Sequence, residues 1–114
     1  MSNFYGFKVQ FLEGAIDFLE EIDAKAKKKI IYNIAKAEEM NDPKLFKKLN
    51  KDIWEFRTLC NGLQYRLLAF WDKTGDIDTL VLATHGFIKK VDKVPQNEIQ
   101  KAEKIRELYF DDKE

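Results

Sequence analysis

The stretch IWEFRTLC-NG-LQYRLLAFW, residues 53–71, carries the strongest structural signal in this 114-residue chain. Asn61-Gly62 separates two runs of β-branched, aromatic and aliphatic residues. Both turn residues tolerate the positive φ that a two-residue type I′ turn requires. The sequence therefore predicts a β-hairpin that turns at Asn61-Gly62.

The two-residue turn fixes the register of this hairpin. Cys60 pairs with Leu63, and Arg57 lies directly opposite Arg66. Because side chains alternate between the two faces of a strand, an aromatic and aliphatic set shares the other face and forms a core layer. This set is Trp54, Phe56, Tyr65, Leu67 and Ala69. We expect the face that carries the arginines to be open.

The arginine pair has two interpretations. Like charges directly opposite each other destabilise an antiparallel strand pair, so stability alone does not explain Arg57 and Arg66. One interpretation is an anion site, in which the guanidinium groups hold a phosphate. The other is that Glu55, or a carboxylate from elsewhere in the chain, neutralises one arginine. The sequence leaves both open.

Length and composition are typical of a small globular protein. The chain is 45% hydrophobic and 35% charged, without repeats or linker-like segments, and we expect one domain over residues 1–114.

No apolar run approaches the ~18 residues of a membrane span, and the N-terminus lacks the pattern of a secretory leader. We therefore expect a cytoplasmic protein without membrane contact. A single cysteine and a single histidine argue against an internal disulfide and common zinc sites, so we expect no metal and no cofactor.

Positive charge is concentrated around the hairpin although the net charge is zero. Residues 44–93 hold ten Lys and Arg against six Asp and Glu, and the rest of the chain is negative by the same excess of four. Such a zone would attract a polyanion. We interpret the lysine cluster at residues 25–29 as ordinary solvated surface.

The N-terminal segment predicts a strand followed by two helices. Residues 4–11 form the strand, and residues 13–22 have the apolar spacing of an amphipathic helix. Asp23 can cap a second helix that ends near Met40. We expect the two helices to form a hairpin on one face of a sheet. Its outer surface is suited to binding a partner, although core packing alone explains the apolar stripes.

The C-terminal half completes an α+β domain. Residues 44–51 carry four lysines and are predicted as a helical turn and loop. Residues 77–84 form a central strand that runs into residues 85–90, and the last helix begins at Pro95. The order is thus β-α-α-β-β-β-α, an antiparallel sheet with a helical hairpin on one face and a C-terminal helix near the other.

Cations are the groups from which chemistry could be built, because the sequence has no Gly-rich phosphate loop, metal-ligand cluster or Ser/His/Asp set. Guanidinium groups bind phosphate and stabilise charge that develops on its oxygens. RNA can be cut by attack of the 2′-hydroxyl on the adjacent phosphate. This reaction needs stabilisation of the charge on the phosphate oxygens, positioning of the RNA backbone and the movement of two protons. The residues expected to converge on one concave surface are Arg57, Arg66, Lys48, Lys51, Lys89 and Lys90, with His85 at its rim.

His85 is the side chain whose ordinary pKa suits a proton acceptor near neutral pH. The alternative is a histidine that is simply hydrogen-bonded at the end of a strand. Lysines could move protons only if their pKa values were depressed.

The C-terminal two thirds of the chain resembles a known toxin superfamily. The pattern K-L, W-E-x-R, Y-R, H-G-F-x-K-K, P, E-I and A runs from Lys48 to Ala102 in this order. It is similar to the phage-derived branch of the RelE/HigB toxins.

This resemblance implies the toxin of a type II toxin–antitoxin module, a ribosome-dependent mRNA endoribonuclease that inhibits translation. A helix-turn-helix antitoxin encoded beside it would hold it inactive, and the two would form a hetero-oligomer on operator DNA. Arg57 and Arg66 match arginines that contact the scissile phosphate, while Lys89 and Lys90 match basic residues after the last strand. Glu55 departs from the pattern, because the best-studied RelE members have a basic residue there.

The resulting site prediction assigns catalysis to Arg57, Arg66, His85 and Lys89. RNA binding is assigned to Lys48, Lys51 and Lys90, and no metal is expected. The alternative function is a non-catalytic RelE-fold protein that acts by binding an antitoxin or another partner, and the near-neutral pI of 6.6 favours it slightly. A general RNA-binding domain fits less well, because the hairpin's aromatic residues are predicted to face the core.

Overall fold

A mixed β-sheet with helices against both faces forms the centre of the molecule. The computed structural model describes residues 7–39, 44–82, 87–89 and 94–113. The elements in chain order are β1 (Lys8–Phe11), α1 (Glu13–Glu21), α2 (Ala24–Glu39), β2 (Phe46–Lys48), β3 (Trp54–Cys60), β4 (Leu63–Asp72), β5 (Thr79–Leu82), β6 (Phe87–Lys89) and α3 (Gln96–Lys113).

The β3–β4 hairpin has the predicted turn and register. Asn61 and Gly62 have φ angles of 51° and 77°, as a type I′ turn requires. Cys60 pairs with Leu63, and Arg57 pairs with Arg66. The hairpin prediction is therefore confirmed residue by residue.

The strands lie in the order β1-β5-β4-β3-β2, and β6 also pairs with β4. The two short strands use different parts of β4, β5 beside residues 69–72 and β6 beside residues 64–66. The β1–β5 pair is parallel, whereas every other pair among the described strands is antiparallel. The α+β class and the C-terminal helix are confirmed. The sheet also contains a parallel pair and two short strands, β2 and β6, that the predicted order β-α-α-β-β-β-α did not include.

The segment after α2 differs from its prediction. A helical turn and loop was expected over residues 44–51, but residues 46–48 form the edge strand β2. Phe46 pairs with Phe56, and its ring stacks on Trp54 and Phe56 at centroid distances of 4.6 and 4.7 Å. This non-local packing favours a strand over the helical turn that the lysine-rich sequence suggested.

The sheet separates two hydrophobic clusters. On one face, α1 and α2 pack over Trp54, Phe56, Tyr65, Leu67 and Ala69, the layer that the alternation predicted. Asp23 caps α2 as expected, since its Oδ2 accepts hydrogen bonds from the backbone N–H groups of Lys25 and Ala26 at 3.2 and 3.4 Å.

On the other face, α3 covers Leu68, Phe70 and Val81 through Ala102 and its neighbours. This is the face that carries Arg57 and Arg66, so α3 closes the half of β4 that follows the arginines. The face was expected to be open, and over this half it is not.

Parts of several predicted elements lie outside the described residues, namely positions 4–6, the expected helix end near Met40 and positions 83–86. No helix in the described part of the chain combines the length and apolar character needed to cross a membrane.

Candidate functional site

The carboxylate of Glu55 lies between the two paired arginines. Its Oε1 is 3.5 Å from Arg57 Nε, and its Oε2 is 3.4 Å from Arg66 Nε. Glu55 and Arg57 are two residues apart on β3, and Arg66 is directly across the strand pair. All three side chains therefore emerge on one face of the sheet, and one carboxylate neutralises part of the charge of both guanidinium groups.

Arg66 is buried, with 3% of its surface exposed. Its guanidinium donates hydrogen bonds to the carbonyl of Tyr65 at 3.2 Å and to Gln64 Oε1 at 2.7 Å. Burial lowers the pKa of Arg66 below its ordinary value, Glu55 opposes this shift, and the charge of Arg57 adds to it. The expectation that Arg66 is an exposed cation on an open face is therefore wrong, because the surrounding chain removes its side chain from water.

Arg57 is the solvent-accessible member of the pair, since 33% of its side chain is exposed. It lines a groove of about 440 Å³, which we call the arginine groove. The groove follows the edge of β3 next to the first residue of β2, where the Arg57 backbone N–H bonds to the carbonyl of Leu45, the residue before β2, at 2.8 Å. Its lining includes Lys29, Asn33, Lys44, Arg57, Leu59 and Arg66.

Helix α2 supplies the second wall of the arginine groove. Asn33 donates a hydrogen bond to the Thr58 hydroxyl at 3.0 Å, and Lys29 Nζ donates to the Leu59 carbonyl. Lys29 and Asn33 are four residues apart, so they lie on one side of the helix. Lysines from α2 and from the approach to β2 thus meet Arg57 in one groove.

This arrangement suits the binding of a phosphate. Cationic side chains from three elements line the groove, and the guanidinium of Arg57 lies within ion-pair distance of Glu55. The structure also shows that the two interpretations of the arginine pair are compatible. Glu55 does neutralise the buried arginine, and an exposed arginine remains beside other cations.

Lys48 and Lys51 do not join the arginine groove. They line a different groove of about 470 Å³ with Trp54, Trp71, Lys73 and Arg106, which we call the indole groove. Because β2 is an antiparallel strand, it carries Lys48 to a position opposite Trp54, at the start of β3. Trp54 and Arg57 are three residues apart, roughly 10 Å along a strand. The predicted convergence of these two lysines with the arginines is therefore wrong.

Lys89 lies on β6, where it pairs with Gln64, two residues before Arg66 on β4. Its backbone thus runs beside the arginine end of β4. His85 and Lys90 lie outside the described residues, so their predicted roles stay predictions. Within the described part of the chain, no three His, Cys, Asp or Glu side chains are grouped as metal ligands.

Sequence reasoning missed Lys29 and Lys44. Lys29 belongs to the cluster that was interpreted as solvated surface, yet its amine reaches the edge of β3. The signal was present in the spacing of Lys29 and Asn33 on α2. It could not be used without knowing which strand that helix packs against.

The phage-derived Gp49-like protein family (DUF891) has a family model that matches residues 17–107 of this chain. The matched range begins within α1 and ends within α3, so it includes the strands that build both grooves. A search of curated proteins and a search of solved structures gave no match.

Proposed function

The chain belongs to the phage-derived Gp49-like family, and we propose on this premise that it is an mRNA-cleaving toxin that acts on the ribosome. The family is one of toxin–antitoxin toxins within the RelE/HigB-like superfamily. Membership implies an antitoxin partner. The cleavage of mRNA, the ribosome and the HigB-like branch are the parts that we propose.

The observation that carries this proposal is the partly exposed guanidinium of Arg57, paired with Glu55, in a groove lined by Lys29, Lys44 and the buried Arg66. Scission by the neighbouring 2′-hydroxyl develops negative charge on the phosphate oxygens. An oriented cation stabilises this charge without having to reorganise. The groove runs along the edge of β3, and we propose that an extended RNA backbone lies along this edge.

Burial separates the roles of the two arginines. Arg57 touches the phosphate, Lys29 and Lys44 hold the flanking backbone, and Lys89 acts from β6. Arg66 is a positioning residue, because it acts through Glu55 on Arg57 rather than on RNA. His85 moves a proton, as the pKa of a histidine permits near neutral pH.

The proposed partners are those of a type II module. A helix-turn-helix antitoxin binds the protein and blocks the arginine groove, and the complex binds operator DNA. The proposed location is the cytoplasm, where ribosomes translate the target mRNA.

Controlled induction in a bacterial culture tests the function. Wild type should arrest growth, and primer extension on a reporter transcript should show cuts that disappear when translation is blocked. Arg57→Gln should abolish both effects while remaining soluble and folded. Lys28→Gln, which removes an exposed cation of α2 outside both grooves, should behave as wild type. Intact transcripts with folded wild type present would refute the nuclease proposal.

A second candidate function, partner binding without catalysis, is favoured by one surface. Ile16 of α1 and Ile31 of α2 are exposed and line an apolar groove with Phe11 and Leu19. If this surface alone accounts for the function, Ile31→Glu should abolish antitoxin capture, and induced wild type should leave mRNA intact.

A further inference from the structure

The indole groove combines cations with aromatic rings at the end of the β3–β4 hairpin farthest from the Asn61-Gly62 turn. The chain has two tryptophans, and both line this groove half-buried. Lys48, Lys51, Lys73 and Arg106 surround them, and among the described residues Asp52 is the one carboxylate in the lining. The groove therefore carries an excess of positive charge beside two flat rings.

The aromatic floor of the indole groove is held in place by packing. Trp54 stacks on Phe46 with ring centroids 4.6 Å apart and an interplanar angle of 20°. Trp71 makes an edge contact with Phe7 at 5.1 Å and another with Trp54 at 6.4 Å. Lys48 pairs directly with Trp54, so the two side chains lie on the same face with Cβ atoms about 5 Å apart.

The cationic rim is fixed by two organised turns. Asn50 Oδ1 accepts hydrogen bonds from the backbone N–H groups of Asp52 and Ile53 at 3.0 and 2.8 Å, which sets the turn that carries Lys51. Asp72 Oδ1 accepts from the backbone N–H and the hydroxyl of Thr74 at 2.9 and 2.6 Å, which sets the turn that carries Lys73.

The third part of the rim comes from α3. Arg106 lies 5.1 Å from the centroid of the Phe110 ring and 3.7 Å from Asp52. Three separate parts of the chain thus converge on a groove that is formed before any ligand arrives.

We propose that the indole groove binds a single-stranded RNA segment, with a base stacked on an indole ring and its phosphates beside Lys48 and Lys51. Base stacking on aromatic side chains beside a cationic track is the usual means of holding single strands. An acidic peptide would use the cations but would leave the two rings without a function. The inference rests on the proposed function only in its choice of RNA as the polyanion, and it assigns a second RNA contact, away from the site of cleavage.

Intrinsic tryptophan fluorescence tests this inference directly, because both tryptophans of the chain lie in the groove. The titrant is a 2′-O-methylated oligouridylate, which cannot be cut by attack of its own 2′-hydroxyl. It should quench the fluorescence of the full-length protein. A fluorescein-labelled copy of the oligomer gives the affinity from its anisotropy.

Lys48→Gln/Lys51→Gln should weaken binding and lower the slope of log K against log salt by about 1.4, since each phosphate contact with a single strand contributes about 0.7. Lys28→Gln/Lys36→Gln removes the same charge from the exposed side of α2 and should leave quenching and slope unchanged. Arg57→Gln should lose mRNA cleavage but keep the quench, which separates this inference from the proposed function.

Three results would overturn the inference. The first is no quench by the oligouridylate at low salt, and the second is an unchanged salt slope in the folded Lys48→Gln/Lys51→Gln protein. The third is equal quenching by polyglutamate, which would identify the ligand as an acidic peptide instead.

Discussion

Arg57 and Arg66 differ in their access to water, although they occupy equivalent positions in the hairpin. Arg66 is almost completely buried and bonds to the backbone, whereas a third of Arg57 reaches solvent. The alternation of side chains along the strands and the two-residue turn predicted that Arg57 pairs with Arg66. They could not predict which of the two arginines the fold would bury, because that depends on contacts between distant parts of the chain.

The burial of Arg66 predicts a large difference between two alanine variants. Arg66→Ala leaves part of the Glu55 charge buried without compensation, and it should cost about 3 kcal/mol of unfolding free energy. Arg57→Ala removes a partly exposed charge and should cost about 1 kcal/mol or less. Urea denaturation of the two variants measures both values, and equal losses would contradict the assigned burial.

Glu55 should compete with anions for the arginines. Glu55→Gln removes the carboxylate charge and leaves two cations opposite each other. Inorganic phosphate should therefore bind the variant more tightly, and it should stabilise the variant more than it stabilises the wild type. A tenfold gain in affinity corresponds to about 1.4 kcal/mol at saturating phosphate.

Thermal denaturation in phosphate, compared with chloride at equal ionic strength, measures this effect. If phosphate raises the melting temperatures of Glu55→Gln and wild type by the same amount, Glu55 does not neutralise the arginine pair.

Among the elements, α3 is fastened to the sheet by a polar contact at its C-terminal end. The Tyr109 hydroxyl donates a hydrogen bond to Asp72 Oδ2 at 2.6 Å. Desolvation and this bond to Asp72 raise the pKa of Tyr109 from 10.0 to about 12. Because the folded-state pKa is raised, the contact stabilises the fold below about pH 10, and this stabilisation is lost as the pH rises through about 12.

Tyr109→Phe should remove this pH dependence. The difference in unfolding free energy between wild type and Tyr109→Phe should be constant at neutral pH and shrink between about pH 10 and 12. Urea midpoints at several pH values measure it. A difference that stays constant through this range would show that the Tyr109 proton does not stabilise α3.

Strands β2 and β6 are the elements that the sequence did not predict as separate strands, and β2 shows the physical reason most clearly. Residues 46–48 are too short and too rich in lysine for alternation to indicate a strand, and the decisive contacts are Phe46 against Trp54 and Phe56.

Phe46→Ala should therefore lower the free energy of unfolding by about 3 kcal/mol or more, as is usual for truncating a buried aromatic side chain. Lys47→Ala in the same strand should change stability by less than about 0.5 kcal/mol. Similar small effects in both variants would argue against the strand.

At the scale of the whole molecule, the basic zone predicted from the charge distribution divides into two grooves. The sequence placed Lys48, Lys51 and the arginines in one site because they are close in the chain. The sheet separates them, since β2 runs antiparallel to β3 and delivers its lysines to the opposite end of the hairpin.

Local signals were reliable guides to local structure, as the turn at Asn61-Gly62 and the helix cap at Asp23 show. The parallel β1–β5 pair and the composition of each groove depend on non-local packing and could not be predicted.

The measurement that tests the central claim most directly is primer extension on mRNA held in purified bacterial ribosomes. Wild type and Lys28→Gln should cut ribosome-bound mRNA and leave the same free mRNA intact, whereas folded Arg57→Gln should cut neither. If wild type leaves ribosome-bound mRNA intact, or if Arg57→Gln cuts it as fast as wild type, the arginine groove is not the site of an mRNA-cleaving toxin.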